Sequence, residues 1–215
     1  MYYSQALRHV NARWYSLATV IGFCLLPVST DAANLSIDPA SQTVPLGSQV
    51  TFDVAVSGLL DGAAPSLGAF DFNVSFDPTV VAFSSISFGD PTLGNQLGPV
   101  LGTINGFSVD PVLGLVNQFE VSLELAADLD LLQVDSFVLT RLTFNSLAAG
   151  TSALDISDIV LSDSEGNALS VGSVNNGSVL IESTGVPDAG ATLVLLASGM
   201  LTLGFLGRHA KRVQS

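Results

Sequence analysis

The chain has 215 residues with 19 acidic against six basic side chains, a formal net charge of −13. Five of the six basic residues, Arg8, Arg13, Arg208, Lys211 and Arg212, lie near the two ends, so residues 33–185 carry 17 acids against Arg141 alone. Such a surface repels phosphate backbones and anionic headgroups, which excludes nucleic acid and leaves calcium, cationic partners and neutral polysaccharides. Cys24 and both histidines, His9 and His209, are also terminal. The central body therefore has no disulfide, no His or Cys metal site and no Ser-His-Asp or Cys-His nucleophile.

At the N-terminus Arg8 and Arg13 precede the apolar stretch Trp14–Val28, which ends in Pro27 and small residues, the plan of a secretory signal peptide. Residues 1–32 are assigned to it, with Thr30 and Ala32 as the small pair before the cut. The sequence thus predicts passage through the export machinery.

The body, residues 33–183, shows period-two alternation, the mark of strands with one buried face. Val50, Phe52, Val54 and Val56 alternate with polar or small residues, as do Phe70, Phe72, Val74 and Phe76. Phe119, Val121, Leu123 and Leu125 alternate with Glu120, Ser122 and Glu124, which predicts the apolar set inward and both glutamates in solvent. Val138–Phe144 fits the same plan, with Leu142 and Phe144 inward and Arg141 outward. Shorter strands are expected near Leu35–Ile37, Val80–Phe88, Leu154–Leu161 and Val179–Ile181. Turn residues separate them: Pro45-Leu46-Gly47, Asp61-Gly62, Asp77-Pro78, Ser164–Asn167 and Asn175-Asn176-Gly177. Eight or nine short strands predict an all-β, antiparallel two-sheet sandwich. The Gly- and Pro-rich segment 89–114 reads as a long loop or irregular hairpin of the kind that carries function.

Two acidic clusters are candidates for calcium, whose hard oxygen-ligand chemistry they suit: Asp128, Asp130 and Asp135, and Asp155, Asp158 and Asp163 near Glu165 and Asn167. Neither has EF-hand spacing. Paired-carboxylate hydrolysis would fall to Glu120, Glu124, Glu165 or Glu182. The body lacks Trp and Tyr, since Trp14 and the three tyrosines precede residue 16, and so lacks the stacking surfaces that hold sugar rings. No catalytic residue and no cofactor is assigned.

At the C-terminus Val186-Pro187-Asp188 leads into the uncharged run Ala191–Gly207 and then Arg208, Lys211 and Arg212. A helix over 191–207 would reach about 25 Å, near the lower limit for a ~30 Å hydrocarbon core. The basic end is expected to stay cytoplasmic, with the body on the far side of the membrane. Residues 186–212 closely resemble the PEP-CTERM sorting signal, in its Val-Pro-Asp variant, of Gram-negative proteins processed by an exosortase. The resemblance implies processing around Val186, Pro187 and Asp188, a transient stay in the inner membrane through segment 184–215, and release to the envelope or exterior.

A second resemblance covers residues 34–182. Val44-Pro45-Leu46-Gly47 before a long alternating strand, then Gly68-Ala69-Phe70-Asp71-Phe72-Asn73-Val74-Ser75-Phe76-Asp77-Pro78, Leu142–Ser146 and the closing Gly177–Ile181 resemble the cohesin domain. It implies a jelly-roll sandwich related to carbohydrate-binding modules, with dockerin modules as partners in cellulosomes. The functions expected are adhesion or assembly of surface polymer through strand edges or segment 89–114, capture of a polysaccharide, or reception of a dockerin-like protein.

Overall fold

The computed structural model describes residues 32–183. The signal segment, the Val186-Pro187-Asp188 motif, the span 191–207 and the basic end lie outside the described residues. Eleven strands and one short helix follow in order: β1 (Ala32–Asp38), β2 (Ser41–Pro45), β3 (Gln49–Ser57), β4 (Leu67–Ser75), β5 (Val81–Phe88), β6 (Thr103–Asp110), β7 (Leu115–Ser122), α1 (Ala126–Leu132), β8 (Phe137–Ser146), β9 (Gly150–Asp163), β10 (Ser170–Asn175) and β11 (Gly177–Glu182). A sheet ordered β10-β1-β3-β8-β5 packs on a second ordered β2-β11-β9-β4-β7-β6.

The sheets are mixed, where alternation alone predicts them wholly antiparallel. β1 pairs parallel with β10, and β2 pairs parallel with β11. The chain crosses from one sheet to the other between β1 and β2, at Pro39 and Ala40, and again between β10 and β11, at Asn176, so the first and the last strand pair of the described residues each divide between both sheets. All other ladders are antiparallel. Segment 89–114 resolves into a loop, the strand β6 and a hairpin to β7 turned at Pro111–Gly114.

The core follows from the alternation in most strands. Val50, Phe52, Val54 and Val56 of β3, Phe70, Phe72 and Val74 of β4, and Leu142 and Phe144 of β8 are buried and meet between the sheets. Phe70 and Phe72 stack with centroids 5.2 Å apart, and Phe76 lies 5.2 Å from Phe144. Arg141 points outward and forms a bidentate pair with Asp53 across the β3–β8 ladder, at 2.6 and 2.8 Å.

β7 departs from the pattern. Val116, Gln118 and Glu120 face the interior and are buried, whereas Phe119, Val121 and Leu123 are 37%, 43% and 48% exposed. The expectation that Phe119, Val121, Leu123 and Leu125 pack inward and that Glu120 is solvated is thus inverted. Pairing explains it: Phe72 opposes Gln118 and Phe70 opposes Glu120 on the inner face, so Asp71 and Phe119 share the outer face. On the other flank Gly106 opposes Phe119, and its lack of a side chain leaves room for the ring. A Cβ on Gly106 would lie 2.9 Å from Phe119 Cε1.

Candidate functional site: the outer face of the β9-β4-β7-β6 sheet

The inversion gives one sheet face an apolar half. Ile104 of β6, Phe119 and Val121 of β7 and Val160 of β9 are exposed together, at 59%, 37%, 43% and 64%. Register places Val121 beside Ala69 and Ile104, and Asp71 between Phe119 and Val160. Around them lies a shallow depression of about 170 Å³ lined by Ala69, Asp71, Phe119, Val121, Val160 and Ser162 over Phe70.

The other half of the face is polar and held in place. Asn117 Nδ2 donates to Asp71 Oδ1 at 2.8 Å and to Asn73 Oδ1 at 3.0 Å, and Asn73 Nδ2 donates to Asp158 Oδ2 at 2.7 Å. Asp158 reaches this ladder through a bulge. Between the pairs Asn73–Ser157 and Asp71–Val160, β9 has one residue more than β4, and Asp158 adopts φ +52°. An extra residue with left-handed backbone re-aims a side chain in this way. The amide hydrogens of the ladder point at its own carboxylates, so what it offers outward is chiefly acceptor oxygen.

Two glutamates of β7 and its continuation fix the loop that borders the face. Glu120 Oε1, inside, accepts from Asn95 Nδ2 at 2.5 Å, Thr103 Oγ1 at 2.7 Å and Asn105 Nδ2 at 3.2 Å. Glu124 Oε1 accepts the backbone N–H groups of Val100 and Leu101 at 2.7 and 2.5 Å. The loop tip, with Val100 70% and Leu101 58% exposed, is thereby joined to Leu123, whose N–H donates to the Gly102 carbonyl at 3.1 Å.

The calcium candidates are not brought together. Asp155 accepts from Asn176 Nδ2, Asp158 belongs to the ladder with Asn73, and Asp163 accepts the N–H groups of Glu165 and Asn167 in a turn. Burial opposes the charge of Asp163, but the Asn167 side chain and the backbone N–H groups of Asn167, Glu165 and Gly166 outweigh it and hold the carboxyl below its ordinary 3.8. Asp130 accepts from Ser66 and Ser164 hydroxyls. Among the described residues no three His, Cys, Asp or Glu side chains form a group able to hold a metal ion. Glu165 and Glu182 stand at opposite ends of the sandwich, Glu165 beyond Asp163, which faces Leu67, and Glu182 beside Pro45. Glu120 lies in the interior and Glu124 at the loop, so the four glutamates form no pair across a cleft.

This architecture is that of a cohesin-like β-sandwich. A non-cellulosomal cohesin from the archaeon Archaeoglobus fulgidus superposes with a TM-score of 0.52 at 15% identity, over 72% of this chain and 94% of that one. The sixth cohesin of Acetivibrio cellulolyticus scaffoldin B, solved in complex with a Cel5 dockerin, gives 0.55 at 22% identity, over 70% and 99%. The cohesin of a Coh-OlpC–Doc435 complex from Clostridium thermocellum gives 0.56 at 10% identity, over 71% and 94%. At these identities the likeness is one of fold. No protein-family model matches the chain, and no curated protein sequence matches it.

Proposed function

We infer that this chain is an exported, non-enzymatic receptor module that holds a protein partner, of dockerin-like kind, on the outer face of β9-β4-β7-β6. One observation carries the reading: β7 exposes Phe119 and Val121 and buries Gln118 and Glu120 in their stead. That arrangement costs folding free energy, because apolar area stays wet while polar groups are desolvated. A sequence keeps such an arrangement where the exposed face is later covered. The depression beside Phe119 would receive an apolar anchor, and the acceptor-rich ladder of Asp71, Asn73, Asn117 and Asp158 would meet hydroxyl, ammonium or guanidinium donors at the rim. Solved neighbours of this fold include cohesins in complex with dockerins, which supports a protein partner.

Polysaccharide capture has less support. The exposed aromatic rings among the described residues are Phe107 and Phe119, on opposite faces of the sheet, and no Trp or Tyr is present there. Export, exosortase sorting and a role in surface adhesion or polymer assembly rest on the terminal sequences and belong to the same proposal, with the module released to the envelope after processing near Asp188.

The test is calorimetric titration of the chain with dockerin modules, including those encoded beside it in its host, together with a glycan array. Binding to a dockerin-type module that falls at least 30-fold in Phe119→Ala, about 2 kcal/mol, is the expected result. Glycan binding untouched by that substitution, or hydrolytic turnover abolished by replacing a single carboxylate, would overturn it.

A further inference from the structure

The end of the sandwich from which the chain leaves toward the apolar run 191–207 is itself apolar. Glu182, the last residue of β11, pairs with Pro45, and the Leu46 N–H donates to its carbonyl at 2.9 Å. Ile181 lies beside Gly150, so the turn from β8 into β9 that carries Leu147 is at this end. The β6–β7 hairpin closes here too. The Phe76 N–H donates to the Gly114 carbonyl at 2.8 Å, Pro78 packs against Gly114, and the Asp77 N–H between them donates to Ser152 Oγ at 2.8 Å. Val112 and Leu113 at the hairpin tip are 82% and 71% exposed, and Leu46 and Leu147 are exposed beside them at the same end. Asp110 Oδ1 accepts the N–H groups of Val112 and Leu113 at 2.9 and 3.0 Å, so the tip satisfies these two backbone donors itself.

The opposite end exposes Val100, Leu101, Leu125 and Leu131, so exposure alone does not choose between the two. Chain length does. Residues 183–190 separate Glu182 from Ala191, and fully extended they reach at most about 29 Å. β9 runs fourteen residues from Gly150, beside Ile181, to Asp163, beside Leu67 at the opposite end, a distance of roughly 40 Å. With 191–207 in a bilayer, the sandwich can stand on the end that carries Val112 and Leu113, but the linker is too short for it to stand on the other. The near end bears Asp77, Asp110 and Glu182, and the one basic side chain of the body, Arg141, is paired with Asp53 inside the β3–β8 ladder. Such an end fits a zwitterionic surface and is repelled by an anionic one. We propose that the Pro111–Gly114 hairpin tip enters the interface of the zwitterionic bilayer that holds 191–207 and stands the sandwich upright on it. Apolar side chains on a turn whose backbone donors are satisfied suit the headgroup–acyl boundary, to a depth of about 5–10 Å. The strands then run away from the membrane, and the outer face of β9-β4-β7-β6 stays open to a partner while the chain is membrane-held. The inference rests on the reading of 191–207 as a membrane span and is independent of the partner's identity.

The test is tryptophan quenching in the full chain, produced without a sorting enzyme and reconstituted into phosphatidylcholine nanodiscs with plain or brominated acyl chains. Trp14 is the chain's one tryptophan, so in a Trp14→Phe background a single reporter is placed by Leu113→Trp at the hairpin tip or by Val100→Trp at the opposite end. The expected result is that Leu113→Trp loses about half its emission in brominated discs while Val100→Trp keeps its own, since bromine quenches only what reaches the acyl boundary. Adding Val112→Asp to Leu113→Trp should restore the emission. A Leu113→Trp chain that co-elutes with the discs and is not quenched would overturn the contact and leave the membrane span standing. A chain that elutes apart from the discs would remove the span, and the contact with it. Equal quenching at both positions, or quenching indifferent to Val112→Asp, would also overturn the upright docking.

Discussion

Two substitutions on one strand, Val116→Lys and Val121→Lys, separate the observed orientation of β7 from the one its alternation suggests. Val116 is 0% exposed and faces Val74 across the β4–β7 ladder. Lysine there forfeits the ~1.5–3 kcal/mol of a fully buried valine and strands an ammonium in the core at a further several kcal/mol. The sum approaches the ~5–15 kcal/mol that holds a domain together, so Val116→Lys should be largely unfolded. Val121 is 43% exposed on the outer face. Its replacement loses roughly half of a valine's burial, about 1 kcal/mol, and the lysine stem can lie along Phe119 and Val160 with its ammonium in water. Urea unfolding followed by far-UV circular dichroism reads both. For Val121→Lys the midpoint should fall by less than about 1 M, given slopes of ~1–3 kcal/mol/M. Partner binding, by contrast, should be abolished. If Val121→Lys fails to fold while Val116→Lys retains the native signal, Phe119 and Val121 face the core and the proposed recognition surface is gone.

Other consequences are as direct. Gly114 turns the β6–β7 hairpin at φ +66°, and a Cβ there would run into the Phe76 carbonyl oxygen; Gly114→Ala should cost about 2–4 kcal/mol in the same urea assay and loosen Phe107 and Val109 first in amide exchange. Burial opposes the charged form of Asp90, but N–H groups of Leu93, Val138 and Thr92 and the charge of Arg141 outweigh it and hold its carboxyl below the ordinary 3.8. Its stabilising contribution is complete above that value and disappears as pH falls through the lower folded-state value, so Asp90→Asn should flatten the acid limb of a stability–pH profile below about pH 4. The Arg141–Asp53 pair is 40% and 20% exposed, and Arg141→Met should cost no more than about 1 kcal/mol, less in 1 M salt. For the terminal segments, intact mass of the native protein should show a chain beginning at Ala33 and ending near Asp188, outside the cell; without the sorting enzyme the mass should retain residues 191–215 in the membrane fraction.

The strands that read most clearly from the sequence are those whose apolar phase has no competing use. β3, β4 and β8 each place their alternating Val, Phe and Leu against the opposite sheet, and Arg141 falls outward where Asp53 awaits it. The divided pairing of β1–β2 and β10–β11 was not legible, because it depends on where the chain changes sheets after β1 and β10. No local pattern at Pro39 or Asn176 encodes which neighbour each segment then meets. α1 escaped as well: Ala126–Leu132 is seven residues long and buries Leu129 alone, too short for a helical period to show.

β7 departs from its alternation for a different reason, and the departure marks the candidate site. Alternation assigns the apolar phase to the core on the premise that solvent is the only other environment available. The proposed partner-binding face would break the premise, since its apolar residues would be selected for a second interior that the isolated chain does not contain. The sequence held signs of the alternative. Val116 sits in the opposite phase from Phe119, Gly106 provides space for a ring on the outer face, and Asn95, Thr103 and Asn105 supply three donors for one carboxylate. A glutamate with three such donors is one built to be inside. Once Glu120 is placed inward, period two sends Phe119 and Val121 outward, and the proposed recognition surface follows from that one placement.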